Sequence, residues 1–260
     1  MLKYSKANAK TEAMKKVEEL KPFLANRRHI YSLDLLSGYS CPFAKDCLAK
    51  VKVNKDGKRK VHDGADMEFR CFSASQEAQY TNTYNSRKHN FDTLKSLTCD
   101  EMFEKLQEAM PKNLGICRIH VAGDFFNADY LLAWAKMAEA NPDRLFYAYT
   151  KSIRFWEKHK DVIDGLDNFV LTASQGGRED HKIDENELRK TKVVFSEAEA
   201  AELGLEIDHD DSHAARPSLK NQDFALLIHG TQPKGSEASI ALKALKGKGS
   251  YSRKKETFAV

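Results

Sequence analysis

Met14, Val17, Leu20 and Leu24 recur at helical spacing in an opening stretch rich in Lys, Glu and Ala. This predicts an amphipathic helix over residues 2–24, set apart as an N-terminal element of residues 1–28. Asn26-Arg27-Arg28 breaks the pattern, and the apolar run 30–36, with Tyr31, Leu33 and Leu35 at alternate positions, predicts a strand ending in a Ser37-Gly38 turn. Residues 51–61 alternate apolar and polar positions around Asn54-Lys55-Asp56-Gly57, as a small hairpin does. Helices are predicted over 73–80 and 85–97, and a third starts at a capping Asp100 and stops before Pro111.

Beyond Pro111 the pattern becomes regular. Strands are predicted over 116–121, 145–149, 169–172, 193–195 and 224–228, with helices over 128–140, 153–163 and 184–189 between them. Strands that alternate with helices form right-handed βαβ units around a parallel sheet. The fold class is therefore α/β: an incomplete or distorted TIM-type (β/α) barrel over residues 29–242, mainly parallel, with the hairpin as an insertion. An open doubly wound sheet is the competing architecture.

A chain of 260 residues can bury one large core. Charged residues make up 31% of it, and apolar runs such as 224–228 are far too short to span a bilayer, which predicts a soluble protein without a membrane partner. The net charge of +4 is modest, but basic residues gather in a tail, 243–260, at Lys243, Lys246, Lys248, Arg253, Lys254 and Lys255. Such a cluster can contact the phosphates of a nucleic acid, although a solvated tail explains it equally. Five cysteines with no secretory pattern point to the cytoplasm.

Candidate chemistry centres on Cys41-Pro-Phe-Ala-Lys-Asp-Cys47 and on Cys71, beyond the hairpin. Cys41 and Cys47 follow the first predicted strand, and α/β folds keep their chemistry at strand carboxyl ends. Three thiols there suggest a soft-metal centre, because thiolates select zinc or iron-sulfur clusters. A disulfide would leave one cysteine unexplained. Cys117 lies near the start of its strand, roughly 20 Å from the far end at about 3.3 Å per residue, and Cys99 has only Asp100 beside it, so both are expected to be ordinary thiols. A structural zinc needs a fourth ligand, for which His62 and His89 are candidates. A four-iron cluster on three cysteines leaves one iron open to a small molecule.

In a parallel sheet the residues after each strand converge. Here they are His120 and Asp124, Thr150 and Lys151, Ser174 and Gln175 with Gly176, and His229. Each alone suits a polar loop, but together they suit a pocket. Strand alternation predicts that His120 and Asp124 face the same way. Ser174-Gln175-Gly176-Gly177 can bring backbone close to a ligand. The knot Asp208-His209-Asp210-Asp211-Ser212-His213 is expected to be an acidic surface loop, with a helix cap at Asp211 or Ser212 or a cation site as alternatives. Gly247-Lys-Gly249 lacks a full phosphate-binding pattern.

Several motifs agree in order with a known family. Ser40-Cys-Pro-Phe-Ala-Lys-Asp-Cys47, Phe69-Arg-Cys71-Phe, Asn85-Ser-Arg-Lys-His-Asn-Phe91, His120-Val-Ala-Gly-Asp-Phe125, Tyr149-Thr-Lys-Ser152, Asp210-Asp-Ser-His-Ala214 and His229-Gly-Thr-Gln-Pro-Lys-Gly-Ser236 resemble the "gene product eighty-eight"-like family of phage and prophage proteins. The resemblance runs from about Ser32 to about Tyr251. It implies a phage-encoded cytoplasmic protein of the infected host cell, with a barrel-like fold distantly similar to radical S-adenosylmethionine enzymes. It also implies that Cys41, Cys47 and Cys71 hold a four-iron, four-sulfur cluster. Those enzymes crowd their cysteines into one short loop and carry a glycine-rich stretch for S-adenosylmethionine; here Cys71 follows a long insertion, and His120-Val-Ala-Gly-Asp124 stands at the comparable strand end. The resemblance therefore supports the cluster and not the use of S-adenosylmethionine.

The leading reading is an iron-sulfur protein whose open iron faces a pocket lined by His120, Asp124, Lys151, Gln175 and His229, with scope for redox or radical chemistry on a small-molecule ligand. The competing reading is a non-catalytic zinc module in which the cysteines staple the hairpin and the basic tail meets nucleic acid.

Overall fold

The structure is a computed structural model that describes residues 1–245. Of the basic tail only Lys243 is described, and the rest of it, with Gly247-Lys248-Gly249, lies outside the described residues.

The opening stretch does not form the single helix its spacing predicts. Tyr4–Lys6 is a strand (β1), Ala9–Glu12 a short helix (α1) and Lys21–Leu24 another (α2), with tighter helical turns between them. Asn8 starts α1 by accepting from the amides of Lys10 and Thr11. Val17 then takes an extended conformation, and Pro22, which lacks the amide a continuing helix needs, lies in the first turn of α2 instead. The apolar positions still point inward, since Met14 and Leu20 are fully buried against the sheet.

The first long strand is His29–Leu33 (β2), followed by the expected hairpin, Ala49–Val53 (β3) and Arg59–Asp63 (β4). Helices Phe72–Gln79 (α3), Thr81–Leu94 (α4) and Cys99–Ala109 (α5) come next. Thr98, not Asp100, caps α5: its hydroxyl accepts from the Glu101 amide while Glu101 returns to the Thr98 amide. The alternating part runs Leu114–Ile119 (β5), Ala128–Ala140 (α6), Leu145–Thr150 (β6), Ile153–Lys158 (α7), Lys160–Asp164 (α8), Phe169–Ser174 (β7), His181–Glu185 (α9) and Lys190–Val194 (β8). His159, at φ −120°, divides the predicted helix 153–163 into α7 and α8. The chain then adds Glu197–Glu202 (α10), Glu206–Ile207 (β9), Ser212–Ala215 (α11), Phe224–Leu227 (β10) and Glu237–Ala244 (α12).

Among the described residues the main sheet has eight strands in the order β1-β2-β5-β6-β7-β8-β10-β9. From β2 onward every pairing is parallel, and β1 is antiparallel on β2. The parallel strands β2 to β10 follow chain order with no reversal, so the switch point of a doubly wound sheet is absent from this run. The sheet is open, ending at β1 and β9, and is not a closed barrel.

Alternation divides the side chains between two faces. Leu33, Cys117, Ile119, Phe146, Ala148, Leu171 and Ala173 face a helical layer that includes Met102, Leu106, Trp134, Trp156 and Ile183 from α5, α6, α7 and α9. Ile30, Ile116, Leu145, Tyr147 and Val170 face the other way, where Met14, Leu20, Ala214 and Ala215 cover them. The N-terminal segment and α11 thus fill the face that the helical layer leaves open, which brings Lys10 and Asp211 over the strands.

Candidate functional site

All three cysteines line one cavity of about 180 Å³ at the carboxyl ends of the strands. Cys41 and Cys47 bracket a loop after β2, and Cys71 stands at the N-cap of α3. Glu77 ties these pieces together. From inside α3 its carboxylate accepts from the Ser37 amide at 3.0 Å and the Ser37 hydroxyl at 2.7 Å, so the turn before Cys41 is fixed to the helix that starts at Cys71. Arg87 Nη1 lies 3.3 Å from the same carboxylate oxygen, which offsets the cost of burying Glu77. Gly38 donates its amide to Cys41 Sγ at 3.4 Å. The hairpin docks here as well, with Ala49 and Val51 buried beside Ala74 and Tyr84.

Burial pushes the Cys41 thiol well above its ordinary range, with Asp124, Cys71 and Cys47 adding to the rise. Burial likewise pushes Cys47 up to about 11, although nearby Lys151 opposes the rise. Thiolates gathered here thus need a compensating cation. The five cysteines form no disulfide; Cys117 is buried in the core and Cys99 is half-buried beside it, as expected of ordinary thiols. Among the described residues no group of three or more His, Cys, Asp or Glu side chains is placed to hold a single metal ion. The fourth-ligand candidates are elsewhere: His62 lies on β4, and His89 Nε2 is 3.1 Å from the Met1 carbonyl.

Near the cysteines, Asp124 and Lys151 form one unit. Asp124 Oδ1 accepts from Thr150 Oγ1 at 2.6 Å and from the Phe125 amide at 2.7 Å, while Oδ2 accepts from the Lys151 amide at 2.8 Å. Burial nevertheless raises Asp124 to about 6, against the pull of these donors. Lys151 Nζ donates to Ser174 O at 3.0 Å, to Ser174 Oγ at 2.9 Å and to the Gln175 carbonyl. Its ammonium is thus held by neutral acceptors on a wall of the thiol cavity.

The two histidines are held by different neighbours. His120 takes a left-handed conformation, φ 70°, which ends the regular geometry of β5, and both it and Asp124 line the cavity. Its Nε2 lies 3.1 Å from Tyr130 Oη, and its ring packs edge-on against Phe125 at 5.0 Å. Burial and Arg118 lower His120 to about 3. His229 lies on Phe72 with ring centroids 4.6 Å apart, its Nδ1 3.2 Å from the Leu227 carbonyl, and burial with Lys10 lowers it to about 4. Both line the cavity as neutral imidazoles near neutral pH.

Gln175 and Gly176, expected to bind a cofactor, are not among the residues that line this cavity. The Gly176 carbonyl accepts from the amides of Lys45 and Asp46, and Gly177 bridges to Ala44, so this loop clamps the cysteine loop. The acidic knot is not a surface loop. Asp208 and Asp211 are buried, and Asp211 meets Lys10 at 2.8 Å, Arg118, and Tyr147 Oη at 3.2 Å. Lys10 and Arg118 line the cavity without having been singled out from the sequence, and Asp211, from the acidic knot, lines it with them. Arg118 carried a signal, a charge inside the apolar run of β5; Lys10 carried none.

The sequence profile described as Gene product 88 matches residues 2–248. The chain belongs to the gene product 88 family. Gene product 88 relatives include the Gene 88 protein of Mycobacterium phage L5, 27% identical over 123 residues that cover 44% of this chain and 44% of that protein. The Gene 88 protein of Mycobacterium phage D29 is 27% identical over 123 residues, covering 44% of this chain and 43% of that protein. The chain thus spans less than half the length of these curated relatives. No solved structure matches it, so the comparisons add no likeness to radical S-adenosylmethionine enzymes. No helix among the described residues is long and apolar enough to cross a membrane.

Proposed function

We propose that this gene product 88 chain is an iron-sulfur protein in which Cys41, Cys47 and Cys71 hold a four-iron, four-sulfur cluster, at the mouth of an incomplete β/α barrel. The observation that carries the reading is the presence of three thiols, from a loop and a helix cap separated by a hairpin, in the lining of a single cavity. Burial raises the Cys41 and Cys47 thiols, so loading the centre must release their protons against that rise, and the cationic core supplies the compensation. Lys151 beside them suits a cluster whose thiolates and sulfides carry negative charge.

Zinc is the less favoured occupant. Tetrahedral zinc at about 2.3 Å from each sulfur draws its ligands within about 4 Å of one another, and no such grouping is found among the described residues. A cluster accepts more widely separated cysteines. When bound it would supply one-electron chemistry and, with three protein thiolates, one iron coordination position for a small ligand. The chain's own contribution is to line the space around that ligand with Asp124, Lys151, Lys10, Arg118 and His229. A cavity of about 180 Å³ is smaller than those of drug-sized ligands, which favours a small ligand over S-adenosylmethionine. Reduced cysteines accord with a cytoplasmic setting.

Anaerobic isolation followed by iron, sulfide and zinc analysis tests the reading. A brown protein with similar amounts of iron and sulfide is expected. Stoichiometric zinc without sulfide rejects it.

A further inference from the structure

The hairpin of β3 and β4 divides its side chains by charge. Directly paired residues share a face, so Ala49, Val51 and Val53 lie with Asp63, Val61 and Arg59 on one side, while Lys50 and Lys52 lie with His62 and Lys60 on the other. The first side is the docked one. Ala49 and Val51 are buried beside Ala74 of α3 and Tyr84 of α4, with Val61 packed against them. Arg59 donates to the Glu77 carbonyl at 2.9 Å and to Thr81 Oγ1 at 2.8 Å, and Asp63 on the same side accepts from Arg70 Nε at 2.8 Å. The ribbon is thus held flat on the helices, and Lys52, Lys60 and His62 on its second face are exposed.

That outer face is basic. Residues 50–60 hold six basic side chains against a single acid, Asp56, a net of +5 in a chain whose total is +4. Asp56 is engaged at the tip, where it lies 3.4 Å from Lys58 Nζ and accepts from the Lys58 amide. Among the described residues Lys52, Lys55 and Lys60 form no ion pair, whereas Lys88, Lys105 and Lys160 on α4, α5 and α8 each meet an acid. Lys52 and Lys60 stand directly opposite one another across the ladder, an arrangement that costs stability because the charges are alike. Lys50 Nζ lies 5.3 Å from the centre of the half-exposed Tyr39 ring, whose hydroxyl donates to the Val51 carbonyl at 3.2 Å. A polyanion that brings charge to both strands would relieve this opposition.

We propose that the outer face of the hairpin is a docking surface for duplex DNA, with Lys50, Lys52 and Lys60 on phosphates of both strands and the ribbon in the major groove. That groove is about 12 Å wide in B-form DNA and admits a two-stranded ribbon, whereas in an A-form RNA duplex it is deep and narrow. The helices behind the ribbon fix its shape in advance, which limits the ordering that binding requires. Lysines are point charges without a planar fork, so the contact is to the DNA backbone and carries little base preference. The surface uses none of the residues that line the thiol cavity, and it stands or falls separately from the cluster.

Fluorescence anisotropy of the full chain with a labelled DNA duplex of about 20 base pairs, at about 50 to 200 mM salt, tests this beside an RNA duplex of the same sequence. A dissociation constant of about 1–100 μM that rises steeply with salt is expected for the DNA, with weaker binding to the RNA. Lys52→Gln with Lys60→Gln should weaken DNA binding at least about tenfold at low salt and reduce the log–log salt slope by about 1–2. Its urea midpoint should be unchanged or raised, since an opposed like-charge pair is removed, and this separates lost binding from lost folding. Lys105→Gln with Lys160→Gln removes the same charge from α5 and α8 and should bind as the unmodified chain does. The salt slope and the DNA-against-RNA comparison need no variant. An unmodified chain that ignores DNA, or that binds the RNA duplex as tightly, overturns the surface. So does binding that survives Lys52→Gln with Lys60→Gln, or an equal loss in both double variants.

Discussion

The Asp46 amide donates to the Gly176 carbonyl at 3.0 Å, joining the residue before Cys47 to the loop after β7. Gly176 has φ +91°, and a Cβ there would lie 2.8 Å from Asp46 Oδ2. Gly176→Ala therefore meets both a backbone conformation that L side chains resist and a close approach to the cysteine loop. We expect a loss of about 1–3 kcal/mol in unfolding free energy together with reduced iron occupancy. Urea unfolding and iron analysis of the same preparation measure the two effects. Unchanged stability and full occupancy would show that the clamp does not govern the loop.

The cavity divides the cysteines into two groups. Cys41→Ser, Cys47→Ser and Cys71→Ser should each abolish the visible absorption of the centre. Cys117→Ala should keep it while costing about 1 kcal/mol for the atoms lost from a fully buried site. Cys99→Ala should be close to neutral for the centre. Loss of the chromophore in Cys117→Ala, with the fold retained, would place a ligand at the wrong end of β5 and contradict the strand-end arrangement.

Legibility of this fold depended on whether the deciding contacts were local. Helix α6 was readable at both ends because Asn127 caps it through the Tyr130 amide and Asn141-Pro142 follows it. Strands β5, β6 and β7 were readable as apolar runs, and their carboxyl ends gave the cavity residues Asp124, Lys151 and Ser174. The opening helix failed because Met14 and Leu20 have helical spacing yet are buried by packing on the sheet, with Val17 and Pro22 interrupting the helix. His120 closes β5 in a left-handed conformation that strand periodicity does not reveal. The Arg118–Asp211 bond joins residues 93 positions apart, so a knot that looked solvated became buried.

The histidines lead to a spectroscopic expectation. Burial lowers His120 to about 3 and His229 to about 4, so neither should gain a proton between pH 5 and 8. Histidine ring resonances of the diamagnetic metal-free protein, assigned with His120→Asn and His229→Asn, should show two rings that stay neutral across that interval. A midpoint near pH 6.5 for either would indicate a solvated ring and a wider cavity mouth.

Asp211 should set part of the acid stability. Burial acts to raise its pKa, but Arg118 and Lys10 outweigh this and hold it at about 2, below its ordinary value of 3.8. The folded state thus favours the carboxylate, so its stabilising contribution is fully present above about pH 4 and is lost as pH falls toward 2. The difference of nearly two pKa units corresponds to about 2 kcal/mol, partly opposed by Asp208, whose pKa shifts upward. Urea unfolding of the unmodified chain and of Asp211→Asn from pH 2 to 6 measures this directly. The stability gap should be largest near neutrality, where Lys10 and Arg118 lose their shared counter-ion, and should close through the acid range. A gap independent of pH would mean that Asp211 acts through packing and backbone shape at φ 67°, and that the two cations gain little from its charge.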